Sequence, residues 1–290
     1  MIDRLLAAML ALTGLTACAS TDEALVFASA RSGDGDIYVL TAGQTAPRIL
    51  TGTETGEGNP IFDTMRERIV YQAFPNDSVE LRSEDVFLLE DPNGDAPPSW
   101  SPIANEIVYS STRSGQENLY IRDLDAGSEI QLTTGSSTDR YPVYSPDGSS
   151  IVFARKDSLG WRLTQYSIGS ELFADLTEPT SYVGHPSWSP DGSKIAFDML
   201  YDGQAEIALV DVETSNVTRL TDRPGNDLKP NWSLDGSRIV FGSDAADSDW
   251  DIYEANVETK IVRRIISSPG FDGSAIYVPV SILPDQHKSR

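Results

Sequence analysis

An apolar triplet recurs along the chain as Ile69-Val70-Tyr71, Ile107-Val108-Tyr109, Ile151-Val152-Phe153, Ile195-Ala196-Phe197 and Ile239-Val240-Phe241. Ahead of each lies a proline, one residue and an aromatic anchor. The anchors Phe62, Trp100, Tyr144, Trp188 and Trp232 stand 38, 44, 44 and 44 residues apart. Between anchor and triplet, Ser145-Pro146-Asp147-Gly148 and Ser189-Pro190-Asp191-Gly192 suit a type I turn, with Pro setting φ at the second position and Gly last. Each unit therefore predicts four short strands. The first carries the anchor, and the second is the triplet, buried on both faces and so without clean alternation. The third begins as in Asp36-Ile37-Tyr38, Asn118-Leu119-Tyr120, Glu206-Ile207-Ala208 and Asp251-Ile252-Tyr253. The fourth ends as in Ile49-Leu50-Thr51, Gln131-Leu132-Thr133, Asp175-Leu176-Thr177 and Arg219-Leu220-Thr221.

Four-stranded units at this period predict an all-β, six-bladed β-propeller of antiparallel blades, because one small sheet cannot bury both faces alone. The blade after Asn59 is shorter, with its later strands expected at Ile69–Phe74, Ser78–Arg82 and Asp85–Leu89 around a tight turn at Pro75-Asn76-Asp77. Residues 24–52 hold strands two to four (Leu25-Val26-Phe27, Ile37-Tyr38-Val39, Ile49-Leu50-Thr51) but no first strand. Tyr277-Val278-Pro279-Val280-Ser281 has the look of a first strand with nothing after it. Pairing that C-terminal strand with the N-terminal blade closes the ring and leaves no open edge.

Charge narrows the function classes. With 44 acidic and 22 basic side chains the chain carries a formal −22. A nucleic-acid binder needs the opposite sign, whereas this surface suits cations or a basic protein patch. One cysteine and two histidines exclude disulfide scaffolds, zinc clusters and His-rich sites. Met1 to Arg4 is a short polar start, followed by the apolar run Leu5–Leu15. That run is too short to span a bilayer but fits the apolar part of a secretory signal. Leu15-Thr16-Ala17-Cys18 resembles the lipobox of bacterial lipoproteins. The resemblance implies cleavage before Cys18 and its lipidation, a strong hold once several acyl chains are buried. Ala19, where an Asp would favour retention at the inner membrane, implies the periplasmic face of the outer membrane in a Gram-negative cell. The expected organisation is a signal at 1–17, a lipidated Cys and tether at 18–23, a propeller at 24–283 and a polar tail at 284–290.

The repeat Pro-x-Trp-Ser-Pro-Asp-Gly-x-x-Ile-Ala-Phe, then Asp-Ile-Tyr, then Leu-Thr, resembles the propeller of the TolB family. Members of that family carry an α/β domain ahead of the propeller, whereas about five residues separate Cys18 from the first strand here. Such propellers receive the peptidoglycan-associated lipoprotein at the channel mouth, so the resemblance implies an envelope protein or peptide partner there.

Loops between strands two and three, and between strand four and the next first strand, share the face where the channel opens, a concave place for ligands. The residues entering each first strand are the candidate partner-binding set: Glu57, Asn59, Asp139, Arg140, Tyr141, His185, Asp227, Lys229 and Tyr277. Acidic residues outnumber basic ones over these loops, which would steer a basic partner. Asp244, Asp247, Asp249 and Asp251 crowd one loop and Asp34 with Asp36 another, but neither matches a calcium loop. The expectation is accordingly no cofactor, with calcium at these loops as the alternative, and no catalytic residue. No Gly-x-Ser-x-Gly elbow occurs, and His185 is the one plausible imidazole base because His287 lies in the tail. A glycan or small-molecule receptor, or a metal-assisted hydrolase or lyase, are the alternatives that the same cavity could serve.

Overall fold

The computed structural model describes residues 22–75, 78–83, 86–90, 97–245 and 249–284. The signal, Cys18, the tether as far as Thr21 and the tail from 285 onward lie outside the described residues.

The described residues form 24 strands in six four-stranded antiparallel sheets. The N-terminal blade holds β1 (Glu23–Ser29), β2 (Asp36–Thr41) and β3 (Arg48–Ile49). The second holds β4 (Glu57–Asp63), β5 (Arg68–Ala73), β6 (Glu80–Ser83) and β7 (Val86–Glu90). The third holds β8 (Ser99–Trp100), β9 (Glu106–Ser111), β10 (Asn118–Asp123) and β11 (Glu129–Gln131). The fourth holds β12 (Thr138–Tyr144), β13 (Ser150–Asp157), β14 (Gly160–Ser167) and β15 (Leu172–Asp175). The fifth holds β16 (Val183–Trp188), β17 (Lys194–Tyr201), β18 (Gln204–Asp211) and β19 (Val217–Arg219). The sixth holds β20 (Asp227–Trp232), β21 (Arg238–Ser243), β22 (Asp251–Asn256) and β23 (Val262–Ile266).

β24 (Asp272–Pro279) then pairs with β1, in the register Ala24↔Val278 and Val26↔Ile276, and so completes the first blade. The closing strand starts at Asp272, five residues ahead of the expected Tyr277, and Val280–Ile282 is a 3-10 turn instead of its continuation. In the second blade the strands fall within two residues of expectation. The turn expected at Pro75-Asn76-Asp77 lies partly outside the described residues, although the Ser78 amide donates to the Pro75 carbonyl at 3.0 Å.

Six apolar clusters hold the ring, one at each junction between blades. The triplets explain how. Side chains alternate across a strand, so Ile151 and Phe153 face the third blade while Val152 faces the fifth. Likewise Ile195 and Phe197 face the fourth blade and Ala196 the sixth. Ile239 and Phe241 face the fifth, and Val240 faces the first. The larger side chains point to the preceding blade and the smaller to the next, which gives each junction one bulky and one compact wall. Burying a large apolar side chain of this kind contributes about 1.5–3 kcal/mol. The anchors add polar ties, since the indole N–H groups of Trp188 and Trp232 donate to the Val143 and Ser187 carbonyls of the preceding blade at 3.3 and 3.0 Å.

The other repeated residues have local explanations. The Oγ1 atoms of Thr51, Thr133, Thr177 and Thr221 accept the amides of Ile37, Leu119, Leu163 and Ile207 at 2.9–3.0 Å, tying the end of strand four to the start of strand three. In the tight turns of the fourth, fifth and sixth blades the Ser hydroxyl donates to the Asp two residues on, at 2.6 Å for Ser145, Ser189 and Ser233.

Candidate functional site

The inner strands share a backbone irregularity. Asn59, Tyr141, His185, Lys229 and Ser274 all have positive φ, between 43° and 56°. In all five strands the register shifts at that point: between Gly58 and Ile61, Arg140 and Val143, Gly184 and Ser187, Leu228 and Asn231, and Gly273 and Ile276. A left-handed L-residue costs about 1–2 kcal/mol, and a bulge re-aims the side chain it carries. The third blade differs. Pro97 occupies the matching place, where its ring holds φ at about −65°, and β8 is two residues long.

Four of the predicted residues meet around the axis through these bulges. The Lys229 ammonium donates to Asn59 Oδ1 at 3.1 Å and to Ser274 Oγ at 3.3 Å, and the Ser274 hydroxyl donates to the same Asn59 oxygen at 2.8 Å. These contacts link the inner strands of three consecutive blades. His185 donates from Nδ1 to Asp198 Oδ1 at 2.8 Å, and that oxygen also accepts the Lys229 amide at 3.1 Å. The Tyr141 and His185 rings lie 4.2 Å apart. A Cβ at Gly184 beside them would stand 2.3 Å from the Tyr182 hydroxyl oxygen and displace that ring. Burial lowers the Lys229 pKa from its ordinary value, against the opposing pull of Asp198.

A cavity of about 350 Å³ opens on this floor, lined in part by Asn59, Lys229, Ser274 and Glu57, with Phe74 and Phe271 at its wall. The two phenylalanines remain 42% and 43% exposed. They lie over glycines of the inner strands: Phe74 over Gly58, and Phe271 over Gly273.

The predicted carboxylates are engaged within the fold. Glu57, Asp139 and Asp227 are buried, as is Asp272. Each sits two residues ahead of a left-handed residue. Asp139 takes two Arg155 nitrogens at 2.8 and 3.0 Å, Asp227 takes Arg223 at 2.7 and 3.2 Å, and Asp272 takes Arg31 at 2.9 Å. The arginines lie over aromatic rings, Arg223 with its Cζ 3.9 Å from the Tyr253 centroid and Arg31 4.9 Å from that of Tyr38. Glu57 accepts instead from Thr53 and Thr55, and burial raises its pKa above the ordinary carboxylate value. Arg140 pairs with Glu117.

Tyr277 is not at the mouth. It occupies the repeat position of Trp232, 45 residues earlier, and is buried between the sixth and first blades with its hydroxyl donating to Glu254. Ser274 is the residue that enters the axis in its place. Aligning Lys229 to Trp232 with Ser274 to Tyr277 carries that signal in the sequence. Of the acidic loops, Asp247 lies outside the described residues. Asp244 accepts from Asn226, Asp251 from Arg264, and Asp36 from Ser32 and Thr51. Among the described residues no group of three His, Cys, Asp or Glu side chains is placed to hold a metal.

Residues 162–281 match the family described as TolB beta propeller domain. The ring is a six-bladed propeller, and this part of it matches that family. The matched stretch runs from β14 through the fifth and sixth blades, where the repeat is most regular, and through the closing strand. In three dimensions the ring is similar to TolB from Acinetobacter baumannii, at 17% identity and a TM-score of 0.74, over 89% of this chain and 66% of that one. It is similar to a putative TolB from Agrobacterium tumefaciens, at 20% identity and a TM-score of 0.67, over 88% and 91% of the two chains. An oligogalacturonate lyase in complex with manganese shares the architecture at 17% identity and a TM-score of 0.58, over 85% and 74%. The chain thus spans just under two thirds of the first of these. No curated protein matches it in sequence.

Proposed function

We infer that this chain is a propeller of the cell envelope that holds a protein or peptide partner at its axial mouth and is not an enzyme. The observation that carries the reading is the cavity of about 350 Å³, with a polar floor set by strained bulges and a rim of exposed Phe74 and Phe271. Aromatic anchors beside fixed polar groups are typical of the centre of a binding surface. Strain of this kind is a reason to look for function at the same place. The TolB-type fold supports an envelope role, and the partner class it points to is a protein such as a peptidoglycan-associated lipoprotein. Asp34, Glu54, Asp202 and Asp249 are exposed on the loops of this face, against Arg113 and Lys156. That excess would speed the approach of a basic partner.

The same reading takes Cys18 as the site of lipidation and the outer membrane's periplasmic face as the location. Cys18→Ser is expected to move the protein from the membrane fraction to the soluble one, and retention would defeat the anchor. For the mouth, Phe74→Ser with Phe271→Ser is expected to weaken partner recovery at least about tenfold, since hot-spot aromatics contribute about 2 kcal/mol or more each. Recovery equal to wild type from a folded double variant would reject the mouth as the site.

A further inference from the structure

Lys229 differs from the arginines around it. Arg31, Arg140, Arg155 and Arg223 each hold a carboxylate. The Lys229 ammonium reaches only neutral acceptors among the described residues, the Asn59 amide oxygen and the Ser274 hydroxyl. An ammonium has three donors, so one is left for something else. Asp198, the carboxylate that acts on it, is already held by the His185 ring and by the Lys229 backbone amide. Lys229 lines the axial cavity, where Ala28, Ala30, Phe74 and Phe271 supply the apolar part of a lining otherwise polar. A partly desolvated ammonium with no carboxylate among its hydrogen-bond partners favours an anion that arrives with the ligand. The two carboxylates on the lining do not supply that charge to it. Glu57 is turned to the Thr53 and Thr55 hydroxyls, and Asp34 stands exposed at the rim.

We propose that the axial cavity recognises a peptide carboxylate, which pairs with the Lys229 ammonium while an adjoining apolar side chain lies between Phe74 and Phe271. This rests on the reading of the mouth as a partner site and adds the chemistry of what enters it. A peptide is favoured over an acidic sugar because the exposed rings of Phe74 and Phe271 offer an adjoining side chain apolar contact on the same lining as Lys229.

The test is calorimetric titration of the full chain with four probes: acetyl-alanyl-phenylalanine, its amide, acetyl-glutamyl-phenylalanine amide, and digalacturonate. The free acid or the glutamyl probe is expected to bind saturably and at least tenfold more tightly than the neutral amide. Which of the two does so tells a chain terminus from an acidic side chain. Lys229→Met is expected to remove that preference. On the unaltered chain, the Lys229 Cε resonance is expected to shift with the acids and not with the amide, which keeps the test open if the variant fails to fold. Equal binding of acid and amide, unchanged affinity in Lys229→Met, preference for digalacturonate, or no binding of any probe would each overturn the proposal. If the Phe74 and Phe271 variant loses the partner while Lys229→Met retains it, the carboxylate assignment falls and the mouth reading stands.

Discussion

Five left-handed residues around one axis concentrate backbone cost at the hub of the ring. The ion pairs of Asp139, Asp227 and Asp272 with Arg155, Arg223 and Arg31 act as latches that hold it in place. Removing one member of a buried ion pair such as Asp139 with Arg155 costs about 3–5 kcal/mol, so a charge change at Asp139 or Asp227 acts first on the fold. Glu57 makes a different case, because no arginine offsets its burial and one carboxylate oxygen has no hydrogen-bond partner among the described residues. Its folded pKa is raised, so the folded state holds the proton in a window where the unfolded chain has released it. Stability from this group is therefore present below the ordinary value of 4.5 and declines as pH rises through the folded value. Glu57→Gln is expected to flatten that decline in thermal unfolding between about pH 4 and about pH 8. An unaltered profile would show that Glu57 ionises freely in the folded chain.

At the scale of the strand, the repeat makes the fold readable. The alternation within each triplet, the turn serine and aspartate, and the terminal threonine all have partners that recur with the period. The start of the closing strand is hidden because Ala275 follows Ser274 where the other inner strands have Pro60, Pro142, Pro186 and Pro230. Without that proline the apparent frame slides to the aromatic residue. The latches are equally hard to see, since nothing local to Asp139 shows that Arg155 folds back on it across the hairpin. Closure itself depends on Val278, buried against the cluster shared with the second blade. Val278→Asp would place an unpaired charge there and expose the edge of β1. It is expected to yield loss of the cooperative unfolding transition and aggregation on size exclusion; a monomeric variant of wild-type stability would contradict the closure.

For the whole molecule, six similar wedges produce one shared concavity with six unlike entrances. The fourth, fifth and sixth blades bring Tyr141, His185 and Lys229, the first and second bring Ser274 and Asn59, and the third brings Pro97 on a strand of two residues. Architecture of this kind serves many functions, so the contents of the hub decide the role. Site-specific photocrosslinking tests that most directly, with the reactive side chain placed in turn at Phe74, at Phe271 and, as a control on an outer strand, at Phe173. The expected result in intact cells is one shared protein adduct from the two rim positions, absent from the control and lost when the other rim phenylalanine is changed to Ser. Adducts from Phe173 with none from either rim position would contradict the account.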